Sequence, residues 1–269
     1  MGEDVRAFFS NSIYQVLVRL KLTIAYDGRP FEGWATQPSG NTVQDLIQRG
    51  LSEVAKKEIK IHGSGRTDTG VHALGQIAHF DAPEDLNMNP YNWVPAANTK
   101  LPATIRVLDC EEVADDFHAR FSATAKTYTY DLCMAPVLPP LQAGLAWHLP
   151  RQLDQTSLEQ ALEILQGEHC FRAFSAKRGN ETDGTSYIRT LSQCDLQTIS
   201  NGYRITYTGN GFLYKMARLL TGAAIYAAQG RLRLDDLAAL LDQATDLPNG
   251  RSPYCAPADG LVLDHVSYS

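Results

Sequence analysis

No stretch of this 269-residue sequence approaches the ~20 consecutive apolar residues that a membrane-spanning helix needs. The opening MGEDVRAFFSNS also lacks the basic segment followed by an apolar one that marks a secretory leader. Neither membrane insertion nor secretion is expected, and the expected location is the cytoplasm. Cysteine is scarce: Cys110, Cys133, Cys170, Cys194 and Cys255 are odd in number, widely spaced and free of any C-x-x-C pair. That usage suggests neither a disulfide framework nor a zinc site. Net positive charge is missing as well. A formal charge of -6 argues against an evenly basic surface for nucleic acid, so a polyanionic partner would have to meet local patches.

Such patches exist. Arg19 with Lys21, the segment 56–60, Lys177 with Arg178, and Lys215 with Arg218 are basic spots, whereas acid gathers in DCEEVADD over 109–116. The length exceeds that of one usual domain, and two domains of about 110 to 140 residues are expected. The pattern divides the chain into an extension over 1–12, an N-terminal domain over 13–115 and a C-terminal domain over 116–269.

Both halves read as alternating strands and helices. In YQVLVRLKLTIAYDG, Val16, Val18, Leu20, Leu22 and Ile24 recur with the period of a half-buried strand, with Arg19 and Lys21 on its other face. A Gly/Pro-rich loop follows, then helical spacing at Val43, Leu46, Ile47, Val54 and Ala55, with Asn41 or Thr42 as N-cap. The strand LGQIAHF, a helix over 90–99 and the strand ATIRVLDC complete this half. The second half reads TYTYDL as strand, SLEQALEIL as helix, YIRTLSQCDL and YRITYT as strands, LYKMARLLTGAAIYAAQ as helix and GLVLDHVSY as strand. Ser157 to Gln160 has the form of a capping box, and Asn201-Gly202 is a hairpin signal. A short extra helix is expected over 235–244. The order β-α-β-β-α-β is that of an α+β, ferredoxin-like domain, and the first half is a looser version of it. Two such domains side by side would form an extended antiparallel sheet with helices on one face and a cleft between them.

The stretch GSGRTDTGVH, residues 63–72, stands out from this frame. Gly65 and Gly70 bracket four residues as in a P-loop, but Val71-His72 occupies the place of Lys-Ser/Thr, and the glycine spacing misses G-x-G-x-x-G. His62, His72 and His79 form no compact ligand motif, so no metal and no cofactor is expected. A tight turn with a weak surface ion pair between Arg66 and Asp68, beside an ordinary packed His72, accounts for the spacing as well as catalysis does. The catalytic alternative is that the glycines admit a ligand close to the backbone while Arg66 holds Asp68 ionised, ready to act as nucleophile or as general base.

The same stretch, extended to GSGRTDTGVHALGQIAHF, closely resembles the central motif of the tRNA pseudouridine synthase A family. YDGRPFEGWATQ, TVQDLI, DDFHARFSATAKTYTY, GNGFLYKMARLLTG and APADGLVLDHVSY agree in the family's order, so the resemblance spans residues 20 to 268. It implies isomerisation of uridine to pseudouridine at positions 38, 39 and 40 of the tRNA anticodon stem-loop. It also implies two ferredoxin-like halves with the active site between them, no cofactor, and a homodimer that grips tRNA across both subunits.

By the same resemblance Asp68 is the nucleophile, Arg66 its ion-pair partner, and Tyr128 the aromatic that lies against the target base. Asn98, His118, Arg120, Lys126, Lys215 and Arg218 fall in family motifs near the cleft and are candidate RNA contacts. Two positions depart from the pattern. Lys126 stands where the family commonly has arginine, keeping the charge but losing the planar fork, and Cys170 stands where aspartate is usual. Two other functions fit the same frame: a synthase of this family with other RNA targets, and a non-catalytic RNA-binding protein. The second resembles an RRM in architecture, but the aromatic RNP pattern is missing.

Overall fold

The computed structural model describes residues 18–83, 85–151, 153–177, 184–242 and 252–269. The extension 1–12, Val16, Arg178 and the end of the expected helix at 243–244 lie outside them. Strand β1 (Val18–Tyr26) turns Leu20, Leu22, Ile24 and Tyr26 into the core and leaves the alternate residues partly exposed, as the period of two requires. Helix α1 (Val43–Ala55) buries Val43, Ile47, Leu51 and Ala55; Thr42 is its N-cap, accepting from the Asp45 N–H. β2 (His62–Gly63), β3 (His72–Ala82), α2 (Pro90–Asn98) and β4 (Ile105–Glu112) follow.

The second half contains β5 (Ala123–Cys133), β6 (Trp147–His148), α3 (Gln155–Leu165), β7 (Gly167–Cys170), β8 (Ile188–Ile199), β9 (Gly202–Gly209), α4 (Met216–Ala228), α5 (Leu234–Ala239) and β10 (Leu261–Tyr268). The hairpin is present, with Ser200 and Asn201 as the turn and Gly202 already in β9. The capping box is not. Asp154 caps α3 by accepting from the Thr156 and Ser157 N–H groups, and the Ser157 hydroxyl donates to Asp154. A carboxylate at the position before the helix outcompetes a serine inside its first turn. Cys170 precedes a short 3-10 turn, Phe171–Phe174, and its side chain makes no capping bond there.

Among the described residues all ten strands belong to one sheet with the order β4-β1-β3-β10-β5-β9-β8-β7, β2 lying along β3 and β6 along β5. In the first half β4-β1-β3-β2 is the ferredoxin-like order, with the edge strand cut to two residues. In the second half β10-β5-β9-β8 is the same order at full length. The expectation of a wholly antiparallel sheet needs correction at the seam, where Val262 and Leu263 of β10 run parallel to His72 and Ala73 of β3. In this motif the third and fourth strands both run opposite to the first. Two copies in one orientation, joined third strand to fourth, therefore meet in parallel.

One edge of β3 is thus shared. β2 pairs with Ala78 and His79 at one end, and β10 with His72 and Ala73 at the other. Helices α1 and α2 pack together over the first half and α3 and α4 over the second. Among the described residues no helix is long and apolar enough to cross a membrane.

Candidate active site

The loop between β2 and β3, residues 64–71, crosses the gap where the edge of β3 divides. Its backbone is held at Ser64, Gly65, Thr67, Asp68 and Val71. The Ser64 N–H donates to Ile77 O at 2.7 Å, Trp34 N–H donates to Thr67 O at 3.0 Å, and Val71 N–H donates to Asp68 O at 3.1 Å. Side chains add to this. The buried Gln76 accepts from the Ser64 hydroxyl (2.7 Å) and donates to Gly65 O (3.1 Å), while the Tyr26 and Thr67 hydroxyls pair at 2.7 Å. Gly33, at φ +86°, lies so close under the loop that a Cβ there would sit 2.8 Å from Thr67 O. Gly70 closes the turn at φ +79°, a region that favours glycine.

Asp68 is thereby fixed at the wall of a cavity of about 540 Å³, within the range of ligand pockets. Its carboxylate pairs with Arg218, Nη1 to Oδ2 at 3.6 Å, with the two side chains 16% and 20% exposed. Arg218 is on the first turn of α4 and is itself anchored, Nε donating to Ala256 O at 2.8 Å. The expected ion pair with Arg66 is corrected here. Arg66 lines the same cavity with an exposed side chain, and the partner the fold supplies comes from the other half of the molecule. Residues two apart in a tight turn project in different directions, whereas α4 aims its first turn at the cleft.

Tyr128 on β5 lines the same cavity. It is buried, with the Phe212 ring edge-on at 4.8 Å. Burial, with Tyr26 and Asp68 near by, pushes its phenol well above the ordinary tyrosine range. At neutral pH it is a proton-bearing donor beside a carboxylate. Tyr26 is also raised, to about 12, by burial.

The remaining candidates separate. Arg120, Lys126, Lys215 and His118 line the cavity with Arg66, so cations outnumber the one carboxylate, Asp68. Lys215 adopts a left-handed backbone (φ 61°) just before α4, and the helix N-terminus adds partial positive charge. Lys126 donates to Ser64 O at 2.6 Å, and burial holds its ammonium down at about 8. Asn98 does not reach the cleft. Its amide both donates to Val107 O (2.8 Å) and accepts from Val107 N–H (2.9 Å), tying α2 to β4. One basic spot, Arg19 with Lys21, is also spoken for. Arg19 holds Asp81 and the carbonyls of Asp115 and Phe117, and Lys21 pairs with Glu111.

His72 is packed behind the loop. Its Nε2 faces Gly144 O at 2.9 Å, so Nε2 carries the proton and Nδ1 accepts from Gly28 N–H at 3.2 Å. Its 3.3 Å approach to Asp27 is therefore not an ion pair. Gln76, Trp34, Phe121 and Phe212 were not singled out from sequence. For Gln76 a signal was present: an uncharged amide inside the apolar strand LGQIAHF has to be paired once buried.

A family model described as tRNA pseudouridine synthase matches residues 22–122 and 161–269. The tRNA pseudouridine synthase A of Akkermansia muciniphila is 49% identical over 255 residues, covering 94% of this chain and 96% of that protein. Tyrosine, aspartate and arginine here thus sit in a chain with full-length relatives. The tRNA pseudouridine synthase A 2 of Clostridium perfringens is 37% identical over 249 residues, 93% of this chain and 99% of that one. That of Burkholderia multivorans is 38% identical over 251 residues, with 93% and 90% covered. A chain from a crystal structure of a Cbf5-Nop10-Gar1 complex is matched at 10% identity and a TM-score of 0.36, over 77% of this chain and 45% of that one, which is too remote to add to the fold. By the family match over most of the chain and by these relatives, the chain belongs to the tRNA pseudouridine synthase A family of isomerases.

Proposed function

We propose that the enzyme converts uridine to pseudouridine at positions 38, 39 and 40 of the tRNA anticodon stem-loop, with Asp68 as the nucleophile. The reaction breaks the bond from ribose C1′ to uracil N1, turns the base and joins C1′ to C5; N1 gains a proton and C5 loses one. No electrons and no phosphate are exchanged. The observation that carries this reading is the placement of one carboxylate, fixed by its loop and by Arg218, in a cavity whose other charged lining residues, among those described, are the cations Arg66, Arg120, Lys126 and Lys215. Such a cavity attracts RNA phosphate and holds one ionised oxygen nucleophile ready. A base in an anticodon arm is not reachable in place, so the nucleotide is flipped into the cleft, at a cost of a few kcal/mol. Tyr128 then lies against the flipped base.

The protein acts in the cytoplasm as a homodimer gripping one tRNA across both subunits. The exposed Val137 and Leu141 in the segment before β6 support an apolar self-contact, and mass in solution by light scattering tests it. For the reaction, unmodified tRNA transcripts are incubated with the enzyme and pseudouridine is mapped by base-specific chemistry. Wild-type protein modifies positions 38 to 40; Asp68→Ala and Asp68→Asn give no measurable product while binding tRNA with nearly unchanged affinity. Equal loss of binding and turnover would sink the nucleophile assignment, and modification elsewhere would change the target.

A further inference from the structure

The rim of the cavity carries an aromatic group that the reaction chemistry does not use. Phe121, between β4 and β5, is 77% exposed, yet it is not on a loose segment. His118 N–H donates to the Ser122 hydroxyl at 3.0 Å, Ser122 N–H donates to His118 O at 2.9 Å, and Arg120 N–H donates to His118 Nδ1 at 3.1 Å. Ala119 N–H is bound by His79 Nδ1 on β3 at 3.1 Å, and Arg19 grips the carbonyls of Asp115 and Phe117 just before. A turn stitched from so many sides presents its phenyl ring to water. Burial of that ring would be favourable, so the fold holds open a place for a flat partner.

Behind Phe121 lies a column of rings. His118 is 4.4 Å from it at 36°, His79 is 4.7 Å from His118, and His62 stacks on His79 at 5.1 Å and 26°. Burial, then the neighbouring imidazole, drives His79 down to about 4; burial and then His62 lower His118. Both shifts favour the neutral imidazole in His79 and His118, and the column offers π faces. Charge comes from the side, where the Arg120 guanidinium lies 5.6 Å from the Phe121 ring centre. His62, His118, Arg120 and Phe121 line the same cavity as Asp68.

From this geometry we infer that Phe121, backed by His118 and flanked by Arg120, is a stacking subsite for an unpaired RNA base neighbouring the flipped uridine. The subsite rests on the RNA substrate proposed above. An aromatic face beside a guanidinium, continuous with a cationic cleft, is the combination that takes single-stranded RNA, because every base has a π face and every nucleotide a phosphate. It supplies what flipping requires: when one nucleotide leaves the stack, its neighbour loses a partner, and Phe121 replaces it.

The test compares wild type, Phe121→Leu and Phe121→Trp on the tRNA transcript that wild-type protein binds most tightly. Leucine keeps the apolar volume and loses the π face; tryptophan keeps both. Phe121→Leu should raise Kd roughly tenfold, with the slope of log K against log salt unchanged because no phosphate contact is lost. Phe121→Trp should bind like wild type. In the same transcript, 2-aminopurine placed beside the modified position should be quenched on binding by wild type and by the tryptophan variant, and not by the leucine variant. Wild-type affinity and quenching in Phe121→Leu would overturn the subsite, as would a loss that tryptophan does not restore. A wild-type protein that binds this transcript without isomerising it, or modifies it elsewhere, would refute the proposed reaction or target and leave the Phe121 comparison intact.

Discussion

Lys126 brings its ammonium against Ser64 O in the Asp68 loop, where burial holds it down at about 8. It is charged below that pH and neutral above. Affinity for tRNA and turnover should therefore fall as pH rises through about 8, and Lys126→Arg should flatten that alkaline limb because a guanidinium does not titrate there. Stability should move the other way. Between about 8 and the ordinary lysine value of 10.5 the unfolded chain holds a proton that the folded chain has released, so the wild-type fold gains stability over that window. An alkaline limb that persists in Lys126→Arg would refute the assignment. At this scale contiguous motifs named two residues, Asp68 and Tyr128, that the fold brings to one cavity. The sequence was misleading for the partner of Asp68, since Arg66 is near in the chain while Arg218 is near in space. Asn98 shows the same limit: a polar residue in a family motif was bonded to Val107 instead of facing the cleft.

At the level of elements, the loop 64–71 has no regular structure of its own and takes its shape from its neighbours. Gln76 is the clearest case, a fully buried amide on β3 that serves Ser64 and Gly65 at once. Gln76→Met preserves volume and strips both bonds. It should cost about 1–3 kcal/mol of stability, as buried groups left unpaired do. Turnover should fall at least tenfold through misplacement of Asp68 while Kd for tRNA stays within about twofold, since a small displacement of a reacting group is costly in rate. Thermal melting and single-turnover rates check the two parts, and an unchanged rate would show that the loop needs no such support. The strands and helices were legible because the period of two and the helical spacing repeat over many residues. Helix starts were less so: α3 begins at Asp154, ahead of the serine that resembled a capping box. β2 was not legible, because two residues carry no period.

The whole molecule is negative, yet the cavity joins Arg66, Arg120, Lys126 and Lys215 around one carboxylate. Binding of tRNA should thus depend steeply on salt despite the acidic composition, and Arg120→Ala should lower the slope of log K against log salt by about one. Affinity flat between low and moderate salt would contradict a phosphate-bearing ligand in this cleft. Two similar halves were legible from the order of elements. Their junction was not. Each half is antiparallel within itself apart from the two-residue β6, which runs parallel to β5, and the two residue pairs of parallel pairing that join β3 to β10 leave no mark on either strand's pattern.

That junction also sets a time. β10 emerges from the ribosome after the other nine strands, yet it lies fourth in the sheet, between β3 and the strand that bears Tyr128. Until it arrives, no strand of the sheet joins β3, next to the Asp68 loop, to the strand of Tyr128. A growing chain should therefore gain activity only once β10 has emerged, so that the order of synthesis itself withholds the cleft from chains stopped before that strand.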